Sequence, residues 1–335
     1  MNVLYATLLV IATLVWGFTF YKKDYHPQPF RVIAQIFIIG LCSMVPLFGY
    51  HYIYVHFIPT LAEYEIFRPL LDSFILKGLF FFGLNIVILA GLIFILSGVL
   101  TLVLTFFKHE TLENIKKSLK EDELCFVAVS VIVGLLIYFE SFFEKIFSMP
   151  IVNSILGAIL FLSIIEEYIK HLIVRFTDDK KLRDIDDAMT LSIMVGLSFA
   201  LVESLIYGVT NADMSIVVPR AILSMPVHIV ASGIFGYFYG LSHFAKPLTE
   251  NAGKEKTYSF KWLHRILTFK RSTVYEDEKI IEGLCLASLF HAGCNLLFEI
   301  DLAFAAVPII VIGLIIVFQL YKKSHVIYHR LLHAH

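Results

Sequence analysis

Two adjacent glutamates, Glu166 and Glu167, lie within an apolar stretch that is long enough to cross a bilayer. A carboxylate in the membrane interior costs about 2.5–3.5 kcal/mol on insertion scales, so such a pair is kept only where it is paired, hydrated or used. Burial also raises the pKa of a carboxyl group, which suits it to take a proton from water near neutral pH. The pair is therefore a candidate general base for a hydrolysis reaction.

Each of the next three apolar stretches carries a polar cluster as well. Glu203 comes first, then His228, and then His291 together with Asn295. Because His291 and Asn295 are four residues apart, they share one face of a helix. At a rise of about 1.5 Å per residue, Glu203, His228 and His291 all fall near the middle of the membrane. We expect these groups to converge on one cavity with the glutamate pair.

Two kinds of hydrolase chemistry fit this set of residues. In the first, a glutamate activates water, His291 and Asn295 donate hydrogen bonds to the oxyanion, and His228 assists proton transfer or holds the water. In the second, zinc is bound with an open coordination position. The candidate metal ligands are Glu167, Glu203, His228 and His291. The HExxH signature of one class of metalloprotease does not occur in the sequence, and no cofactor other than zinc is indicated.

Lys170 and His171 follow the glutamates by one helical turn, so that Glu166 with Lys170 and Glu167 with His171 are i,i+4 pairs. Lys170 is therefore a candidate supporting residue for one carboxylate. Both basic residues also lie near the predicted cytoplasmic end of their span. The alternative is that their side chains extend to the membrane interface.

Membrane-spanning helices must position these side chains. The 335-residue chain is 58% hydrophobic and 16% charged, whereas a soluble domain has about 25% charged residues. Its net charge of -1 gives no footprint for nucleic acid. We expect an all-α polytopic bundle with about nine spans. These lie near residues 2–21, 31–55, 74–107, 124–144, 150–175, 188–210, 219–243, 279–298 and 303–322.

Basic residues gather in the connections after the odd-numbered spans, as Lys22 and Lys23 do after the first. The positive-inside rule then places the N-terminus outside and the C-terminus inside. The positions of the polar clusters divide the chain into three parts. Residues 1–145 form N-terminal spans without an assigned role, residues 146–300 form the core with every candidate site residue, and residues 301–335 form the last span with a cytoplasmic tail.

Small residues recur at helical spacing in the sixth and seventh spans, where they predict close contact between helices. They are Ser192, Gly196, Ala200, Gly233, Gly236 and Gly240.

In the tail, His325, His329 and His333 fall on one helical face, which favours a solvated helix end over a metal-binding tail. Residues 258–270 form either a basic amphipathic helix on the inner leaflet or an ordinary loop. The cysteines are expected to be buried thiols. They are Cys42, Cys125, Cys285 and Cys294.

The order of the polar motifs resembles that of the PrsW-type intramembrane proteases. The motifs are Glu-Glu-x-x-Lys at 166–170, Phe-x-x-x-Glu at 199–203, the isolated His228 and His-x-x-x-Asn at 291–295. This group shares a superfamily with the CAAX prenyl endopeptidases and bacterial immunity-type membrane proteases. The CAAX-type relatives usually carry an arginine and a histidine where this chain has Lys170 and Glu203. Prenylated peptides are therefore not the expected substrates.

The resemblance implies a glutamate-dependent intramembrane endopeptidase in the plasma membrane of a prokaryote. Its implied substrate is a single-span membrane protein such as an anti-sigma factor. The resemblance also implies that Glu166 and Glu167 activate water and that the other motif residues complete the site. These are Glu203, His228, His291 and Asn295. Two other classes fit the same residues, namely a proton-coupled transporter with a carboxylate relay and a non-catalytic scaffold.

Overall fold

The computed structural model describes residues 3–42, 44, 90–91, 126, 161–177, 182–210, 214–251, 271–300 and 302–332. Within these ranges all regular secondary structure is helical, as expected. The helices are α1 (Val3–Tyr21), α2 (Phe30–Cys42), α3 (Phe161–Thr177), α4 (Ile185–Thr210), α5 (Met214–His243), α6 (Ala245–Asn251), α7 (Arg271–Glu299) and α8 (Ala303–Leu332). The predicted spans near 74–107 and 124–144 lie almost wholly outside the described residues.

Five of the described helices are long and apolar enough to cross a membrane, and α2 is a shorter apolar helix. The five candidate spans are Leu4–Tyr21, Ile185–Val209, Ile222–His243, Ser272–Glu299 and Ala303–Tyr328. In these segments every backbone N–H and C=O can be satisfied within the helix, which the hydrocarbon interior requires. The total of nine spans and the direction of the termini stay predictions.

The chain divides into two compact units, one formed by residues 1–41 and 169–335 and the other by residues 42–168. The boundary falls inside α3, between Tyr168 and Ile169. The first unit holds most of the described helices. Of the second unit, the structure describes chiefly the beginning of α3.

Helices α4 and α5 form the centre of the first unit. Helix α5 packs against α4, α7 and α8, while α1 lies against α4. The candidate spans of α4 and α5 are each 78% buried, against 22% for those of α1 and α8. The outer helices thus keep apolar surfaces suited to contact with lipid. Examples are Leu8, Leu14, Phe18, Phe304, Ile312 and Ile315.

Glycines allow α4 and α5 to touch through their backbones. A Cβ added at Gly236 would lie 2.7 Å from the Cα of Met189, and one added at Gly196 would lie 3.0 Å from the carbonyl oxygen of His228. Neither distance leaves room for a methyl group. The predicted close packing is confirmed for these two helices, and the contact at Gly196 lies directly beside a candidate site residue.

Helices α7 and α8 are longer than the apolar runs predicted. Helix α7 begins at Arg271 instead of residue 279, and α8 continues to Leu332 instead of residue 322. Charged residues fill these extra turns, so a criterion based on apolar runs misses them. Helix α6 lies in a stretch predicted as a connection, and residues 258–270 lie outside the described residues.

The C-terminal part of α8 packs on the segment that follows α1. His325 stacks against Tyr25 with ring centroids 3.9 Å apart, which ties this helix end to the rest of the unit.

Of the described cysteines, Cys294 is buried and Cys285 is exposed, and both are free. The expectation of a buried thiol is wrong for Cys285, because it lies on an outward face of the spanning helix α7.

Candidate active site

A chain of three polar side chains runs from α3 through α5 to α4. Lys170 Nζ lies 2.7 Å from His228 Nδ1, and His228 Nε2 lies 2.8 Å from Glu203 Oε2. Lys170 and His228 are only 2% and 1% exposed, whereas the side chain of Glu203 is 28% exposed. Three of the predicted site residues are therefore in direct contact.

The hydrogen-bond donors among these three side chains define the protonation of the His228 ring. An ammonium carries only donors, so Lys170 donates to Nδ1 of His228. Since Nδ1 accepts, the ring proton sits on Nε2, which donates to the carboxylate of Glu203. His228 is then a neutral imidazole that is held at both ring nitrogens. Its orientation is fixed by one cation and one anion.

Two further side chains support this arrangement. The Ser224 hydroxyl donates to Glu203 Oε2 at 3.2 Å, and Lys170 Nζ lies over the ring of Phe199 at 4.7 Å from its centroid. Ser224 was not among the predicted site residues. Its position four residues before His228, on the same face of α5, was the available signal. The Phe-x-x-x-Glu spacing places Phe199 and Glu203 on one face of α4, where both can contact the chain.

Helix α7 adds His291 at the same point. The rings of His228 and His291 meet edge to face, with centroids 4.6 Å apart and an interplanar angle of 70°. His291 is 1% exposed. Asn295 lies one helical turn further along α7 and is half-buried. The structure thus gathers Lys170, Glu203, His228 and His291 from four different helices.

The glutamate pair lies on α3, one turn before the basic residues. Glu166 and Glu167 are 8% and 1% exposed. Helical register puts Glu166 on the face of α3 that carries Lys170. His171 is fully buried, and its ring packs edge-on against Phe235 at 4.9 Å. The alternative in which Lys170 and His171 extend to the membrane interface is wrong, because both side chains are enclosed by protein.

The donor chemistry at His228 also suits a metal ion. Imidazole nitrogens and carboxylate oxygens are typical zinc ligands. A metal-bound histidine usually donates its other ring N–H to a carboxylate, and the bond from His228 to Glu203 has this form. The nitrogen that would then face a metal is Nδ1, which the Lys170 ammonium contacts. A metal on His228 would therefore replace one cation with another.

The profile of PrsW family intramembrane metalloproteases matches residues 124–321, which is more than half of the chain and includes every predicted site residue. The chain belongs to the PrsW family. Protease PrsW of Geobacillus kaustophilus (strain HTA426) is 27% identical over 171 residues, covering 48% of this chain and 70% of that protein. No solved structure matches the chain. Membership of the PrsW family confirms the resemblance in the motif order and supports a membrane-embedded peptidase.

Proposed function

We propose that this PrsW-family protein is an intramembrane endopeptidase that hydrolyses a peptide bond in or near the span of a membrane-protein substrate. A single-span protein of the anti-sigma-factor type is the substrate class that the motifs imply. The observation that carries the proposal is the hydrogen-bonded series Lys170–His228–Glu203, buried at Lys170 and His228, with His291 against it. Polar groups from four helices meet inside an apolar bundle, where they are costly and mark a functional site.

In the proposed reaction, Glu166 or Glu167 takes a proton from a water molecule whose oxygen attacks the scissile carbonyl carbon. The carbonyl π electrons move onto its oxygen. They then re-form the carbonyl as the C–N bond breaks, and the glutamate delivers the proton to the nitrogen of the leaving amine. Glu166 is favoured as the base, because its register on α3 directs it towards the same side as Lys170.

The oxyanion requires donors aimed at the position where negative charge develops. His291 and Asn295 lie one turn apart on α7 and are proposed for this role. His228 is assigned a positioning role, because Lys170 and Glu203 already engage both of its ring nitrogens.

A zinc-dependent peptidase is the second candidate, favoured by the hydrogen bond that links His228 Nε2 to Glu203. His228 and His291 would hold the ion together with a carboxylate ligand, for which the sequence offers Glu167 and Glu203. Bound zinc would polarise the scissile carbonyl and lower the pKa of a coordinated water. In this arrangement the Lys170 ammonium gives up its contact with Nδ1 and serves as a counter-charge to the carboxylates.

The first experiment measures cleavage of a single-span substrate by the full-length protein in proteoliposomes. We expect Glu166→Gln or Glu167→Gln to lower the rate by about 100-fold or more, the range of general-base catalysis. The matched control is Glu282→Gln, a partly exposed carboxylate on α7 that pairs with Lys279, and it should cleave normally. Full activity in both glutamate variants would overturn the proposal. Substrate flux across sealed vesicles without cleavage would favour the transporter instead.

A second experiment separates the two chemistries. Purified protein is dialysed against a chelator, and its zinc content is measured by mass spectrometry alongside cleavage. A zinc peptidase should contain about one zinc per chain, lose cleavage with the metal and regain it on addition of zinc. Glutamate chemistry predicts full cleavage after the metal has been removed. A protein that never cleaves substrate, and whose His291→Ala variant keeps its normal cellular function, would contradict both chemistries and favour the non-catalytic scaffold.

A further inference from the structure

Three buried aspartates meet away from the candidate active site. Asp24 follows the end of α1, while Asp184 and Asp187 lie at the beginning of α4. One carboxylate oxygen from each lies within 4.8 Å of the other two. Their exposed fractions are only 5%, 3% and 0%. Three carboxyl groups thus converge in a place where water screens their charges poorly.

The neighbours of the cluster satisfy two of the three residues. Asp187 accepts hydrogen bonds from the guanidinium and backbone N–H of Arg183 at 2.9–3.0 Å and from Gln28 Nε2 at 2.8 Å. Asp184 Oδ1 accepts the backbone N–H of Asp187 at 2.8 Å, and its Oδ2 lies 3.3 Å from His26 Nδ1. Arg183 is the one permanent cation that the described residues place in hydrogen-bond contact with the cluster.

Asp24 is different, because one of its oxygens is orphaned. Its Oδ1 accepts the backbone N–H of His26 at 2.9 Å, whereas its buried Oδ2 has no hydrogen-bond partner among the described residues. The Thr190 hydroxyl also lies near this carboxyl group, but its hydrogen bond at 3.0 Å joins it to the Tyr321 hydroxyl, and either of the two can be the donor. A buried carboxylate oxygen without a partner costs free energy. Asp24 is the third carboxyl group of the cluster, and its Oδ2 is the oxygen without a partner in the described part of the chain.

We propose that Asp24, Asp184 and Asp187 form a binding site for a hard divalent cation of the Mg²⁺, Ca²⁺ or Mn²⁺ class. All three ligands are carboxylate oxygens, the donors that these ions prefer, whereas the candidate active site offers imidazoles. The flanking side chains of His26 and Arg183 are 43% and 46% exposed, which leaves an edge for entry. The two sites share no residue.

The cation would connect the first span to the core. Asp24 stands three residues beyond the end of α1. Asp184 directly precedes α4, one of the two central helices, and Asp187 lies in its first turn. Binding would therefore hold α1 against α4 at this end, in addition to the apolar contacts that these helices make along their length. The rival explanation is that two of the carboxyl groups share a proton, which needs no metal.

The test uses full-length protein that has been purified in detergent, treated with EDTA and freed of it. Mg²⁺, Ca²⁺ and Mn²⁺ are each titrated while the midpoint of thermal unfolding is recorded. We expect a saturable rise in the midpoint for at least one ion, since a ligand that binds only the folded state stabilises it. Asp24→Asn should weaken the affinity for that ion at least tenfold, the range seen when support for a metal site is lost.

Asp186→Asn is the matched control, because Asp186 is a buried neighbour that accepts a hydrogen bond from Ser324 instead of joining the three. It should keep the response to the cation. A flat midpoint with all three ions, or an equal rise in Asp24→Asn, would overturn the proposal. If Asp24→Asn does not fold, calorimetric titration with the ion that raises the midpoint compares wild-type protein with Asp184→Asn. Absence of a binding heat in wild-type protein, or an unchanged affinity in Asp184→Asn, would then overturn the proposal.

Discussion

Replacing Lys170 with methionine removes the ammonium that links α3 to His228 and keeps an unbranched stem of similar length. The wild-type ammonium lies 2.7 Å from His228 Nδ1 and 4.7 Å from the centroid of Phe199. Methionine cannot donate to Nδ1, so the imidazole loses the partner that defines its tautomer. We expect His228 to rotate or to change tautomer, and the proposed site to lose its alignment.

The expected magnitude follows from the contacts. A hydrogen bond that involves a charged group is worth about 1.5–3 kcal/mol. Each 1.36 kcal/mol of lost transition-state stabilisation lowers the rate tenfold, so kcat/KM should fall by roughly 10- to 150-fold. Thermal stability should change much less. Removing a buried ammonium also removes its desolvation cost, which opposes the loss of the bond.

The assay is cleavage of a single-span substrate in proteoliposomes, with kcat and KM determined between pH 6 and 9. Lys279→Met is the matched control, because Lys279 is a largely enclosed lysine, 13% exposed, that contacts carboxylates and an aromatic ring. It lies on α7 outside the polar chain, so its kcat/KM should stay near that of wild type. Thermal unfolding of each variant shows whether the fold is intact.

A Lys170→Met protein with wild-type kcat/KM and an unchanged pH profile would refute the reasoning. So would a variant that cleaves faster and binds zinc more tightly, since that result would mean that the ammonium merely competes with a metal for Nδ1. An activity loss accompanied by an equally large loss of stability would show that Lys170 supports the fold and not the site.

Three further predictions concern Glu203, the glycines of the core and Asp24. Glu203→Gln keeps an acceptor for His228 and should lower cleavage moderately. Glu203→Ala leaves the buried Nε2–H of His228 without a partner and should cost about 1–3 kcal/mol of stability, seen as a lower unfolding midpoint. Equal midpoints for the two variants would contradict this. Gly196→Ala should cost about 1–3 kcal/mol by forcing α4 from α5, while Gly293→Ala, which meets open space, should be neutral or stabilising in the same melting experiment. Desolvation raises the pKa of Asp24 to about 7, so the folded state holds a proton that the unfolded chain releases near pH 4. In EDTA, the free energy of unfolding should therefore fall as pH rises from about 4 to 7. Asp24→Asn should flatten that slope in melting curves taken across this range.

Much of the fold could be predicted from apolar runs. The predicted spans 2–21, 188–210 and 219–243 correspond to α1, α4 and α5 within a few residues, because a chain in hydrocarbon must satisfy its backbone within a helix. The early part of α7 and the late part of α8 could not be found in this way. Their charged turns are stabilised by neighbouring elements, and a hydropathy window does not register such contacts.

The sequence by itself determined which polar side chains are buried within the membrane-spanning core and in which order they occur, since each is costly in lipid and stands out against its surroundings. Only the tertiary structure decided what they touch. Lys170 had two outcomes open, the interface or the core, and the fold places its Nζ in the core, 2.7 Å from His228 Nδ1. The aspartate cluster could not be predicted from the sequence either. Asp24 and Asp184 are 160 residues apart along the chain, and only helix packing brings them together.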